Sequence, residues 1–246
     1  LPDFAQENED VAAFVLELSR QWIQRFDIDG IRMDTAKHVP LEFFSSQWIP
    51  ETRALDQDLF LLAEVFGGET PRLYQPFIDA RFDSAFNYAL YGAFLEAFAR
   101  DGSIASVAEV ISQTVDILGM ERALMMVNFI DNHDVPRFLS ESTHSDTAVR
   151  LERYHLALVA LMTLPGIPQI YYGDELGLIG RYPENRRDMP QWAWSMDGRR
   201  GIHEGALGDS QLTFAHTARL IRIRNEHLAL QRGRFRVWQR PDAEAE

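Results

Sequence analysis

The chain has 246 residues, 46% hydrophobic and 25% charged, an ordinary globular composition with enough apolar material for a sizeable core. Its formal net charge of −13 argues against nucleic acid and anionic membrane surfaces, which need basic patches, and suits a neutral or cationic ligand. The absence of cysteine excludes a disulfide framework and thiolate chemistry. The longest apolar run, about residues 156–168, is broken by Thr163, Pro165 and Gly166 and is too short to span a bilayer. The chain opens on Leu1-Pro2-Asp3 rather than on Met or a leader, so a soluble piece of something longer is expected.

Asn8 caps a helix predicted to reach Phe26, with Glu9 and Asp10 in its first turn and Val11, Phe14, Val15, Leu18, Trp22 and Phe26 at helical spacing. A strand follows, to about Asp34. In Ile31-Arg32-Met33-Asp34, alternation turns Ile31 and Met33 toward packing and Arg32 and Asp34 to one common face. A cation on that face favours the ionised Asp34 that a carboxylate nucleophile requires, although a plain surface salt bridge accounts for the same pattern. Residues 41–55 read as a helix interrupted by Pro50, and Leu59 to Ala63 as a buried parallel strand ending at Glu64. Gly67-Gly68 turns the chain. A short helix over 71–78, a short strand over 80–83, and helices over 86–100 and 104–118 come next. Residues 124–129 form a further apolar strand leading into Asp131-Asn132-His133-Asp134. A helix over 148–164 and a strand over 167–172 follow, ending at Gly173-Asp174-Glu175. Residues 176–208 lack periodicity and read as a long functional or disordered loop, before a last helix over 211–225 and the start of a strand at 234–238.

Strand–helix alternation predicts a parallel sheet covered by helices, with acids at the C-terminal strand ends, where an eight-stranded α/β barrel carries its chemistry. Only about five strands are recognisable against the eight of a closed barrel. If these strands share one barrel, Asp34, Glu64 and Asp134 converge on its mouth. Two carboxylates ~5–5.5 Å apart hydrolyse a glycosidic bond with retention, one as nucleophile and one as acid/base. Asp34 beside Arg32 stays ionised, and Glu64 facing that charge is expected to hold its proton more tightly. The competing readings are a strand-end carboxylate capping the Gly67-Gly68 turn for Glu64 and helix or turn caps for Asp131 and Asp134. Three strand-end carboxylates also hold Mg²⁺ in enolising enzymes, but Lys37, the only lysine, is badly placed as their base.

Taken together, these stretches resemble the α-amylase family of glycoside hydrolases. Residues 30–38 look like the family's nucleophile segment, Ala63-Glu64-Val65-Phe66 its acid/base segment, and residues 129–134 the segment of its third acid. Leu1-Pro2-Asp3-Phe4, residues 170–175 and residues 185–190 are similar to further family segments in the family's order. The resemblance implies a partial (β/α)8 TIM barrel, roughly strands 4–8 with helices 3–8, over residues 1–232. Residues 233–246 would be the start of a truncated C-terminal β-domain or a tail. It implies Asp34 as nucleophile, Glu64 as acid/base and Asp134 as transition-state stabiliser. Substrate contacts fall to Arg32, Lys37, His38, Asn132 and His133, and a calcium ion to Asp3 and the backbone carbonyl of His38. The implied substrate is an α-1,4-glucan. Transglycosylation or action on maltose or cyclodextrins stays open, as do, from other classes, a catalytically silent glycan-binding barrel and a metal-dependent enolase-like enzyme. Ala63 departs from a position often occupied by Gly. The family's segments upstream of the first recognisable strand are not in this chain, and as an isolated open sheet the segment is expected to aggregate or to leave its cleft incomplete.

Among the remaining residues, Trp192 and Trp194 are expected to pack the long loop, and Tyr171 and Tyr172 to close the last strand. Arg186 and Arg187 are expected to pair with Glu184 and Asp188. His155, His203, His216 and His227 show no partner pattern, and His38 and His133 share no zinc-ligand spacing.

Overall fold

The computed structural model describes residues 4–236. Asp3 and the predicted strand beyond Arg236 therefore lie outside the described residues. The chain divides into two units, Leu1–Tyr88 and Ala89–Glu246.

In the first unit, Asn8 Oδ1 accepts from the Asp10 and Val11 amides and starts the helix Glu9–Phe26, as its sequence requires. Of that helix only Ala12 and Ile23 are buried. The apolar stripe that marks the helix in the sequence, Phe14, Leu18, Trp22 and Phe26, is solvent-facing, with the Trp22 and Phe26 rings 4.7 Å apart. Strand β1, Gly30–Met33, pairs in parallel with β2, Phe60–Ala63, and β2 with β3, Ser84–Ala85. Gly30 is required where β1 meets β2, because a Cβ there would stand 2.7 Å from the Phe60 carbonyl oxygen.

Two predicted features of this unit are corrected. Pro50 does not interrupt the helix over residues 41–55. Leu41–Phe43 and Ile49–Leu55 are joined by a π-helical turn, Phe44–Trp48, in which the Ile49 amide reaches the Phe44 carbonyl. The widened turn lets the helix run on into a residue that has no N–H to give. Residues 80–83 are not a strand. Arg81 and Phe82 donate back into the preceding helix, and the Asp83 carboxylate takes the Leu61 amide at 2.7 Å and Arg53 Nη2 at 2.5 Å. The Asp83 amide donates to the Leu61 carbonyl at 2.9 Å, and residue-by-residue pairing follows at Ser84 and Ala85. Phe44, Trp48 and Phe82 form the aromatic heart of the unit, and Trp48 Nε1 donates to Ser19 Oγ at 2.9 Å.

In the second unit, β4, Val127–Asn128, pairs in parallel with β5, Ile167–Pro168. Both strands are shorter than their apolar runs. The amides of Leu124 and Met125 turn back to Met120 and Arg122, and the Tyr171 amide is taken by the Asp174 side chain instead of a neighbouring strand. Helices Ala105–Leu118, Thr147–Thr163 and Ser210–Glu226 match their predicted spans closely, the last two capped by Asp146 and Asp209. Leu90, Phe94, Ile111, Phe138, Leu158 and Leu161 lie in their shared core. Arg224, buried, donates to the carbonyls of Met162, Leu164 and Gly166 and so closes the C-terminus of Thr147–Thr163. Residues 176–208 are an ordered excursion, with short helical turns, bridges Leu178↔Ala206 and Ile202↔Asp209, and a small core of Leu176, Leu178, Ala193 and Ala206. Residues 234–236 carry no regular structure. Among the described residues no helix is long and apolar enough to cross a membrane.

Candidate active site

The register of β1 on β2 brings the first two predicted acids together. Met33 pairs with Ala63, so Asp34 and Glu64 leave their strands side by side, and the Glu64 amide donates to the Met33 carbonyl at 3.0 Å. One guanidinium serves both: Arg32 Nη1 reaches Asp34 Oδ1 at 2.8 Å and Nη2 reaches Glu64 Oε1 at 2.5 Å. The two carboxyl groups are thus no farther apart than a guanidinium and two hydrogen bonds. Their surroundings differ. The Asp34 side chain is 64% exposed, whereas that of Glu64 is 4% exposed. Glu64 also accepts from the Thr35 amide at 3.1 Å and the Tyr88 hydroxyl at 3.5 Å. Its bonds go to these donors and none goes to the Gly67-Gly68 turn. Thr35 aims its amide at Glu64 from a left-handed backbone conformation, φ 48°, which a β-branched residue seldom adopts. The Arg32 guanidinium also lies 5.7 Å from the centre of the Phe86 ring. Lys37, exposed, donates from Nζ to the Phe66 carbonyl at 2.7 Å and lies over the Phe66 ring. His38 is exposed at the end of the same short turn, Ala36–His38.

The second unit presents the third acid on a braced turn. Asn132 is buried, and its side-chain oxygen accepts the Asp134 amide at 2.8 Å. Asp134 Oδ2 meets His133 Nε2 at 3.0 Å and Oδ1 meets Arg186 Nη2 at 2.8 Å. Arg186 Nε and Asn185 Nδ2 both donate to the His133 carbonyl, and Asn185 Nδ2 also donates to that of Val135. Arg186 is therefore bound to the acid itself, not to Glu184 or Asp188 as its sequence neighbours suggested. Arg187 Nε goes to the Glu184 carbonyl.

Beneath this turn lies a buried ionic cluster. Arg137 Nη1 is 3.4 Å from Asp174 Oδ1 and 3.7 Å from Asp131 Oδ1, and all three side chains are shielded from solvent. Tyr171 and Tyr172 lie against the Arg137 guanidinium, 4.1 and 4.9 Å from its central carbon. Burial pushes the Asp131 carboxyl up to about 6, against the pull of Arg137, and lifts that of Asp174 well above the usual carboxylate range, with Asp131 adding to the lift. The tryptophans separate: Trp192 stacks on His203 at 4.0 Å, as packing required, while Trp194 is 72% exposed and is not packed. His155 and His216, which lacked a visible partner, have their rings 4.6 Å apart.

Arg186, Arg137 and Thr35 were missed as site residues. Nothing in local sequence ties Arg186 to a residue 52 positions away. The dipeptide Asp34-Thr35 carried no sign of the left-handed turn. No predicted site residue lines the hollow of about 820 Å³ between Met162, Ile167, Ile170 and Ile221. As for calcium, no group of three or more His, Asp or Glu able to hold a metal occurs among the described residues. Of the two expected calcium contacts, Asp3 lies outside the described residues and His38 would contribute its backbone carbonyl.

The architecture in each unit is of one class, parallel strands joined through helices and acids carried just past the strand ends, the arrangement of α/β enzymes. The family model for the α-amylase catalytic domain matches residues 1–201, and the chain belongs to the α-amylase family. It is 29% identical over 228 residues to a maltogenic α-amylase of Bacillus acidopullulyticus, covering 92% of this chain and 35% of that one. A cyclomaltodextrinase of Thermoanaerobacter pseudethanolicus is 30% identical over 241 residues, covering 96% and 37%. Among solved structures, an α-amylase of Geobacillus thermoleovorans complexed with acarbose superposes with a TM-score of 0.76 at 30% identity, covering 94% of this chain and 48% of that one. The chain thus spans about a third to a half of the length of these relatives.

Proposed function

We propose that the chain carries the catalytic acids of a retaining hydrolase of α-1,4-glucans, within strands 4–8 of a (β/α)8 barrel. The observation that carries this reading is the single guanidinium bonded at once to Asp34 and Glu64. In the first step Asp34 attacks the anomeric carbon. The glycosidic oxygen departs with the Glu64 proton, leaving an ester at Asp34 and a carboxylate at Glu64. Negative charge moves from one acid to the other, and Arg32, already bonded to both, balances it before and after with no change of place. Such preorganised charge is the largest usual source of rate enhancement. In the second step water gives its proton to Glu64 and its hydroxyl to the anomeric carbon, freeing Asp34. Asp134, held by His133 and Arg186, meets sugar hydroxyls as the ring distorts, with His133, Asn132, Lys37 and His38 as further contacts. Relatives named for cyclomaltodextrin and maltogenic activity make cyclodextrins and maltooligosaccharides the first substrates to test.

The test is trapping with a fluorinated maltosyl fluoride, whose glycosyl ester turns over slowly, followed by peptide mass spectrometry. A label on the peptide containing Asp34, absent in Asp34→Asn, with release of the α-anomer from maltooligosaccharides, is expected. A β-anomeric product, or labelling unaffected by Asp34→Asn, overturns the reading.

A further inference from the structure

We propose that Asp131, Arg137 and Asp174 form a one-proton clamp that positions the turn carrying Asp134. This rests on the reading of Asp134 as the third acid. Two carboxyl groups and one guanidinium, all buried, carry a net negative charge if both acids ionise, which a solvent-free site resists strongly. Among the described residues, Asp131 Oδ1 and Arg137 Nη2 have no hydrogen-bond partner. A proton kept on Asp174 neutralises the cluster and supplies the donor that Asp131 Oδ1 lacks.

The geometry links this proton to the site. Asp131 Oδ2 accepts the Phe138 amide at 2.7 Å, so one carboxylate pins both ends of the segment containing Asn132, His133 and Asp134. Asp174 Oδ2 accepts the Tyr171 amide at 3.0 Å, and its backbone carbonyl takes the Tyr154 hydroxyl at 2.6 Å. The Arg137 amide is fixed to the Gly180 carbonyl at 2.9 Å. The other titratable groups that act on the clamp are Tyr154 from helix Thr147–Thr163, Tyr171 and Glu175 beside Asp174, Tyr172 over Arg137, and Tyr91 near Asp131. Loss of the proton leaves two buried anions against one cation. The carboxyls part, and the turn loses its lower anchor while His133 and Arg186 still hold its upper side. Asp131, Arg137 and Asp174 are therefore positioning residues that act through Asp134.

The deciding measurement is an NMR titration of the chain labelled with ¹³C at aspartate carboxyls and ¹⁵N at amides. One carboxyl of the pair is expected to stay protonated beyond the range where exposed aspartates titrate. The His133 and Asp134 amide resonances are expected to move with the same midpoint. In Asp174→Asn, which keeps a permanent donor in place, that amide transition disappears. In parallel, the ratio of kcat for Asp174→Asn to kcat for the wild type on maltooligosaccharide rises with pH, with KM unchanged. Amides that ignore the carboxyl transition, or a kcat ratio flat with pH, overturn the proposal. Should neither protein cleave glucan, the amide titration of the wild type still decides the clamp.

Discussion

Replacing Arg32 by Met removes a charge while keeping much of the stem that lies near Phe86, so the loss isolates the electrostatic role of the fork. The arm to Asp34 contributes little to stability, on the order of 0–1 kcal/mol, because that carboxylate is largely in water. The arm to Glu64 is different. Its side chain is nearly buried, and without Arg32 it keeps only the Thr35 amide and a long contact to Tyr88. Stripping the partner from a fully buried pair costs about 3–5 kcal/mol. Arg32 itself is a third exposed, so water screens the pair and about 2–3 kcal/mol is the fitting figure. Urea unfolding at neutral pH, followed by circular dichroism, measures it. Glu64→Gln in the Arg32→Met background removes the buried acid that has lost its guanidinium partner and is expected to restore about 2 kcal/mol, a coupling within the range for contacting pairs. Arg32→Lys should restore only part of the loss, since an ammonium cannot span two acceptors as a planar fork does. A cost for Arg32→Met below about 0.5 kcal/mol with additive double mutants would refute the reasoning.

The clamp predicts a pH-dependent stability. Because burial raises Asp131 to about 6 and lifts Asp174 well above the usual carboxylate range, the folded chain holds protons that the unfolded chain has released. Stability is then fully present below about pH 4 and is lost as pH rises through the folded values. Asp174→Asn removes one of the two raised groups and should flatten the decline in denaturant titrations across that window; parallel declines in both proteins would count against it. Arg186→Gln removes the bonds to Asp134 and the His133 carbonyl on a side chain that is partly in water. It should lower stability by less than about 1 kcal/mol yet reduce kcat on maltooligosaccharides at least about tenfold, and an unchanged kcat would show that the brace is dispensable. Arg224→Met deprives three carbonyls of a buried cation. A loss of about 3 kcal/mol in urea unfolding is expected, and a loss under about 1 kcal/mol would mean that water replaces the guanidinium.

How far the sequence could be read depended on the range of the forces involved. Helix limits set by local caps, Asn8, Asp146 and Asp209, were legible to within a residue or two, because the capping group is a neighbour in the chain. The alternation in residues 31–34 correctly put Arg32 on the same face as Asp34. It could not show that the other half of the guanidinium belongs to Glu64, which depends on strand register. The last strand was read too long because a side chain took a ladder amide, as Asp174 does for Tyr171. The same holds for the stretch before Val127, where a helical turn consumes the amides. Pro50 misled because the rule against proline assumes a regular helix, and the π-helical turn ahead of it removes the conflict. The acids were visible as residue types at strand ends. What braces them was not: Arg186 and Arg137 act across gaps that no periodicity spans.

The mooring of residues 185 and 186 divides the long excursion into parts with different evolutionary freedom. Insertions around Arg200 and Gly201, both exposed, can lengthen the excursion without touching that mooring. A single residue gained or lost beside Asn185 and Arg186 would drag them off the carbonyls of His133 and Val135 and tilt the turn that carries Asp134. Change in this scaffold is accordingly expected to enter away from that knot, which keeps a fixed length.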